Sequence, residues 1–150
     1  MLLDRFNAEF GTPSPGPDVL AGRLERLLPA GQVVALLAGE PVTGLAVLTL
    51  RPNVWYDGPV ATLDELYVVP EERGRSTGSA LLAAVEAVVR GRGGRLVEID
   101  VDGEDVDARR FYERHGYRCT EPGATEPMLY HYRELEPDSP TTQPPGQPLS

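Results

Sequence analysis

Hydrophobic positions along this chain change period several times, and the changes mark its elements. From Leu2 to Phe10 they recur at helical spacing and predict a short helix. The stretch GTPSPGP, Gly11 to Pro17, must break it, because proline removes a backbone donor and clashes with the preceding turn. Asp18 is placed to cap a second helix, VLAGRLERLL, with Val19, Leu20, Leu24, Leu27 and Leu28 on one stripe; Pro29 to Gly31 ends it. QVVALLAG and VTGLAVLTLRP then read as two strands joined by the turn EP, an antiparallel hairpin. Asn53 to Val60 is a loop. The strand ATLDELYVV follows, then a helix from Ser76 to Arg90 that GRGG stops, the strand RLVEIDV, and the helix DVDARRFYERHG with Gly116 at its end. YRCT and MLYHYREL are expected to close the sheet as a final hairpin.

The order of elements is ααββ, then β-α-β, then α and ββ. Strand, helix, strand from Leu63 to Val101 implies a right-handed crossover between parallel strands, and the flanking hairpins imply antiparallel neighbours. The fold class is therefore α/β, a mixed and mostly antiparallel sheet with a central parallel βαβ crossover and helices packed on it. The stretch from Pro137 to Ser150 is rich in Pro, Gln, Ser and Thr and is expected to be disordered, leaving residues 1–136 as one domain.

At 150 residues and 41% hydrophobic, the chain is long enough for one real core. A net charge of -9 argues against general nucleic-acid binding, which needs a basic face, and suits a cationic partner slightly better. Every basic residue is Arg, whose planar fork suits phosphate. Cys119 is the lone cysteine, so no disulfide forms within the chain; it reads as structural and fits a reducing compartment. Apolar runs such as Val33 to Ala38 are far too short to span a bilayer, and MLLDRFNAEFG does not read as a signal peptide. A cytoplasmic protein is expected. His115 and His131 have no ligand spacing and read as non-functional, and no Cys/His cluster suggests a metal.

The joint PEERGRSTGSALL carries the chemistry. A helix N-terminus leaves backbone N–H groups unsatisfied, and its dipole favours negative charge. A glycine-containing turn leading into one is a phosphate cradle, and Arg73 and Arg75 stand at its rim. There is no Lys for a P-loop, and Gly74-Arg75-Ser76-Thr77-Gly78 does not supply the three spaced glycines of a dinucleotide fingerprint. A third possibility is the pyrophosphate of coenzyme A.

YVVPEERGRSTGSALL resembles the coenzyme A signature of the GNAT N-acetyltransferase superfamily, R/Q-x-x-G-x-G/A after a V-x-P strand end. Arg73 matches its first position and Gly78 its last, with Ser76 where the middle glycine is usual. DVDARRFYERHGY resembles the same family's N-x-x-A-x-x-F-Y-x-x-x-G-F helix through Ala108, Phe111, Tyr112, Gly116 and Tyr117, with Asp105 in place of Asn. The two elements stand about thirty residues apart with a strand between, and together cover Leu63 to Tyr117. The family usually opens with a strand before its first helix; here Met1 leads straight into helix, so that strand is not expected in this sequence. A positive φ at Ser76 would crowd a phosphate with its Cβ, whereas a helical φ would make Ser76 a cap or a hydroxyl donor.

The resemblance implies transfer of an acetyl group from acetyl-CoA to a primary amine, with a GNAT-like fold and no metal. An amine of pKa about 10.4 is mostly protonated at pH 7, which costs about 4.6 kcal/mol in lone-pair availability. Tyr112 matches the family's general acid to the departing thiolate. Asp64 and Glu65 resemble an acidic pair beside the acetyl site; alternation places Asp64 with Leu66 and Val68, and Glu65 with Leu63 and Tyr67, so at most one of them faces the acetyl group. The backbone of Val68 and Val69 is expected to hold the pantetheine arm and polarise the thioester carbonyl. Arg73, Gly74, Arg75, Ser76, Thr77, Gly78 and Ser79 form the expected phosphate cradle, with Arg109 and Arg110 as candidates to reach the coenzyme phosphates; Asp105 falls at the pantetheine arm, where it removes the donor of Asn and adds a charge. Trp55 and Tyr56 are candidates for walling the acceptor pocket. The acceptor is a small-molecule, peptide or protein amine, and the acid-rich EIDVDGEDVD favours a cationic one. A non-catalytic acyl-CoA-binding or sensing domain is the alternative, and an interaction protein with a degenerate site the third reading. A homodimer is expected, with no nucleic-acid or membrane partner.

Overall fold

The computed structural model describes residues 1–135; the stretch expected to be disordered lies outside the described residues. In chain order the elements are α1 (Leu2–Glu9), α2 (Pro17–Leu27), a 3-10 turn (Leu28–Ala30), β1 (Val33–Ala38), β2 (Gly44–Arg51), β3 (Val60–Val68), a 3-10 turn (Pro70–Glu72), α3 (Thr77–Gly91), β4 (Leu96–Glu98) and α4 (Val106–Arg114). By packing, the chain divides into two units, Met1–Tyr117 and the segment that begins at Arg118.

The first unit holds one sheet in the order β1-β2-β3-β4. β1 and β2 pair antiparallel, as do β2 and β3; β3 and β4 run parallel, joined by α3. This is the mixed α/β sheet with the central crossover that the sequence implied. Alternation along β2 sends Ala46, Leu48 and Leu50 to one face, where Ala61 and Leu63 of β3 and Leu81, Leu82, Val85 and Val89 of α3 complete the core. Burying each large aliphatic side chain there contributes about 1.5–3 kcal/mol. The opposite face is covered by α1, whose Phe6 ring lies 5.2 Å from that of Tyr67.

Three local expectations are corrected. Asp18 does not cap α2: Gly16 does, with φ +96°, and Pro17 takes the first helical position, where its missing N–H costs nothing. β4 ends at Glu98 instead of reaching Val101. The final hairpin does not form among the described residues. The second unit has one isolated bridge, Thr120 to Pro127, with the Met128 N–H donating to the Cys119 carbonyl at 2.7 Å. Alternation in MLYHYREL signals strand propensity, but a strand exists only when a neighbouring backbone accepts its hydrogen bonds.

Gly94 tightens the join between α3 and β4. A Cβ there would lie 2.7 Å from both the Pro59 carbonyl oxygen and Val89 Cγ1, so only glycine fits.

The core sets the expected stability map. Leu82 is 1% exposed under the sheet, whereas Leu37 on the edge strand is 63% exposed. Leu82→Ala should lower stability by about 2–5 kcal/mol, and Leu37→Ala by no more than about 0.5 kcal/mol. Urea midpoints read this directly, and equal effects would refute the assigned core.

Candidate active site

The site begins with an interruption in β3. Val47 pairs with Glu65 and Leu48 with Leu63, so Asp64 is an extra residue, a β-bulge. The bulge overturns the alternation expected from sequence. Leu63, Leu66 and Val68 all pack toward the α3 core. Glu65 lies opposite Val47, and Tyr67 opposite Leu45, on the α1 face. Asp64 reaches that face too: it accepts from the Thr49 hydroxyl at 2.6 Å, and Thr49 shares a face with Val47. Both carboxylates therefore stand on one side of the sheet.

The same strand loses its other neighbour. β3 pairs with β4 only from Val60 to Thr62. Beyond that the two strands part, and among the described residues the β3 edge from Leu63 onward has no strand partner on that side. The Val69 N–H turns to β2 and donates to the Thr43 carbonyl at 2.9 Å, so Val69 does not present an N–H to the opening. By alternation the Val68 backbone faces the open edge. Its carbonyl accepts from Arg73 Nε at 2.9 Å.

At the end of this edge the chain turns into α3. Gly74 has φ +75° and Ser76 φ +67°. Ser76 thus holds the left-handed conformation of the glycine it replaces, and its side chain makes no cap hydrogen bond. The first α3 bond runs from the Ala80 N–H to the Ser76 carbonyl at 2.9 Å, which leaves the amides of Thr77, Gly78 and Ser79 directed out of the helix end. Phe111 of α4 backs Gly78, 3.5 Å from where a Cβ would sit. The charged rim differs from expectation. Arg73 is forked onto Glu9 of α1, Nη1 to Oε1 at 2.7 Å and Nη2 to Oε2 at 3.0 Å. Arg75 pairs with Glu72 at 3.1 Å. Arg109 donates to the Gly103 carbonyl at 3.1 Å. None of the three guanidiniums is held at the helix end, and Arg110 is exposed.

Helix α4 is capped by Asp105, whose Oδ1 accepts from the Ala108 N–H at 2.9 Å. The carboxylate that replaces Asn is a helix cap here. His115 ties α4 to α3: its Nδ1–H donates to the Phe111 carbonyl at 2.7 Å, and in that neutral tautomer Nε2 accepts from the Ser79 hydroxyl at 2.9 Å. The Ser79 side chain is therefore committed to the helix joint, and its contribution to the cradle is its amide. His115 is a structural joint that its sequence context did not reveal.

Tyr112 stands between these parts. Burial, then the charges of Asp105 and Glu65, push its pKa up to about 12. Glu65 is itself raised above the usual carboxylate range, by burial first and then by Asp64. The Glu65 charge thus reaches Tyr112, which brings the two residues within electrostatic range of each other. Trp55 and Tyr56 do not join them. Their loop is ordered by Asn53, whose Oδ1 accepts from both of their N–H groups at 2.9 and 2.8 Å, and it lies at the start of β3 with Gly58 against Gly93. Trp55 is 86% exposed.

The sequence matches the family model described as Acetyltransferase (GNAT) family over residues 2–117. The chain belongs to that family. It is 36% identical over 85 residues to the aminoalkylphosphonate N-acetyltransferase of Salmonella typhimurium, a stretch covering 57% of this chain and 54% of that one. It is 34% identical over 109 residues to the aminoglycoside N(6')-acetyltransferase type 1 of Stenotrophomonas maltophilia, covering 71% and 68%. The chain thus spans about half the length of the first relative and two thirds of the second. A solved structure of a candidate acetyltransferase from Arthrobacter sp. FB24 shares 67% identity and superposes with a TM-score of 0.85, covering 89% of this chain and 86% of that one. No helix among the described residues is long and apolar enough to cross a membrane.

Two outcomes are expected of this GNAT site. Ser76→Gly relieves the left-handed strain and should stabilise the protein by about 0.5–1 kcal/mol, near 2 °C in Tm; a lower Tm would show that the Ser76 side chain does something further. For Glu65 the folded pKa lies above the unfolded one, so the folded state binds more protons and stability falls as pH rises between the two values. Glu65→Gln should raise Tm at pH 8 and lose that advantage at pH 3.5, where both states of the wild type are protonated. A gain independent of pH would refute the assignment.

Proposed function

We propose that the chain transfers an acetyl group from acetyl-CoA to the primary amine of a cationic small molecule. The observation that carries the reading is the split between β3 and β4, which opens a strand edge leading straight to the free amides of α3. An extended acyl-donor arm lies along the Val68 backbone, and its pyrophosphate meets the amides of Thr77, Gly78 and Ser79 at the positive end of the α3 dipole. Acetyl-CoA supplies the thioester whose acyl group is transferred.

The residues divide the work by environment. Glu65, half-buried and with its pKa raised, takes a proton from the incoming ammonium, and its place beside Asp64 holds the cation. Tyr112 keeps its proton throughout the physiological range. A thiol has a pKa of about 8.5, far below that of this phenol, so full proton transfer from Tyr112 to a thiolate runs uphill. Tyr112 serves as a hydrogen-bond donor to the charge that develops on sulfur, a contribution that typically changes rates by about 10²–10³-fold; the second amine proton, shed as the C–N bond forms and the C–S bond breaks, neutralises the departing thiolate. Asp64 and Glu65 on one face favour a cationic amine over an amine that carries a phosphonate.

A second reading is a non-catalytic acyl-CoA sensor. Two observations favour it: the left-handed φ of Ser76, whose Cβ crowds a phosphate at the cradle, and the pairing of Arg73 with Glu9 and of Arg75 with Glu72, which removes side-chain charge from it.

Thermal shift with coenzyme A, followed by thiol release from acetyl-CoA with kanamycin A or aminomethylphosphonate, separates these readings. We expect a shift, turnover with kanamycin A at least tenfold above the phosphonate in kcat/KM, and a 10²–10³-fold loss of kcat in Tyr112→Phe with coenzyme affinity held within about threefold. A shift without turnover supports the sensor. No shift sinks both, and preference for the phosphonate sinks the cationic acceptor.

A further inference from the structure

We propose that Arg73 is a positioning residue which locks helix α1 to the donor end of β3, and that it does not read phosphate. What the two halves do rests on the function proposed above; the lock itself stands on geometry. The Arg73 guanidinium points back along β3 and away from α3. Its Nε donates to the Val68 carbonyl at 2.9 Å, and Nη1 and Nη2 fork onto the two oxygens of Glu9 at 2.7 and 3.0 Å. Its Cζ lies 5.6 Å from the centre of the Tyr67 ring. Tyr67 closes the loop: its hydroxyl donates to Glu9 Oε2 at 2.9 Å, while its ring packs on Phe6. Tyr67 is 2% exposed, so its hydroxyl depends on Glu9 for a partner.

One side chain therefore joins three pieces of chain. Glu9 is the last residue of α1, Val68 the last of β3, and Arg73 opens the turn into α3. The planar guanidinium holds both carboxylate oxygens through Nη1 and Nη2 and the carbonyl through Nε in one fixed geometry, which the single ammonium of lysine does not reproduce. The helix so held covers the face that bears Glu65, because Tyr67 and Glu65 share it. Arg73 thus fixes how much room an amine has above Glu65. It also closes the Val68 carbonyl, leaving that residue's N–H as its group toward the acyl-donor arm.

The test compares Arg73→Gln, Arg73→Lys, Glu9→Gln and the double variant Arg73→Gln/Glu9→Gln, all in the full chain. Hydrogen exchange at the Phe10 to Thr12 amides, which bond back into α1, should speed up at least tenfold in each single variant, and the double variant should be no faster than Arg73→Gln. Lysine should not rescue. Coenzyme A affinity by calorimetry should stay within threefold throughout. With acetyl-CoA and kanamycin A, KM for the amine should rise at least fivefold while kcat stays within twofold. The proposal is overturned if Arg73→Gln weakens coenzyme A tenfold, lysine restores it and Glu9→Gln tightens it, for then Arg73 is a phosphate ligand that Glu9 restrains. Unchanged exchange or unchanged KM overturns it as well. Wild-type protein that binds no coenzyme A sinks the function and the positioning role with it; exchange alone then decides whether the lock exists.

Discussion

A strand in the middle of a sheet ordinarily spends its backbone hydrogen bonds on both neighbours. β3 does so on one side only. Against β2 it pairs along its whole length, from Val60 to Val68, while against β4 it pairs for three residues. A half-open central strand is costly unless something else satisfies its N–H and C=O groups. The structure meets part of that demand internally, through Arg73 on the Val68 carbonyl. The remainder is the edge along which the proposed acyl donor would lie, and the groups of the candidate site are arranged around the point where the two strands part.

The bulge at Asp64 belongs to the same constraint. One extra residue changes the face of everything after it. Without it, Leu63 and Glu65 would share a face and the carboxylate would be driven toward the α3 core. With it, the strand keeps Leu63, Leu66 and Val68 inward and brings Asp64 and Glu65 out together on the α1 side. Burial first, and then the nearby charge of Asp64, hold the Glu65 carboxyl above the usual carboxylate range.

Much of the fold was legible because long periodic stretches speak for themselves. α1, α2, the β1–β2 hairpin, β3, α3 and α4 all lie where hydrophobic spacing puts them. What failed was what depends on a partner elsewhere in the chain. The bulge leaves no mark in TLDELYV, because alternation is a local rule and a bulge is set by the opposing strand. The final hairpin failed for the same reason. At the site, the free amides of α3 and the place of Tyr112 followed from motif spacing. The fates of Arg73, Ser79 and Asp105 did not, because each is decided by a residue far off or by helix geometry: Glu9 lies 64 positions from Arg73, and His115 lies 36 from Ser79. Glu9 and Tyr67 carried no signal in their own neighbourhoods.

The loop from Asn53 to Gly58 has a practical bearing on how this protein can be watched. Its Trp55 is the chain's single tryptophan, and the Asn53 side chain holds it out in water at the start of β3, beside the C-terminal end of α3 and at the opposite end from that helix's N-terminus. Intrinsic fluorescence therefore looks at the quiet end of the molecule. Ligand arriving at the N-terminus of α3 would pass it almost unseen, and a flat titration curve would describe the lamp's position and not the state of the site. The tyrosines are better placed as natural probes, since Tyr67 and Tyr112 each sit against the parts that an occupied site would disturb.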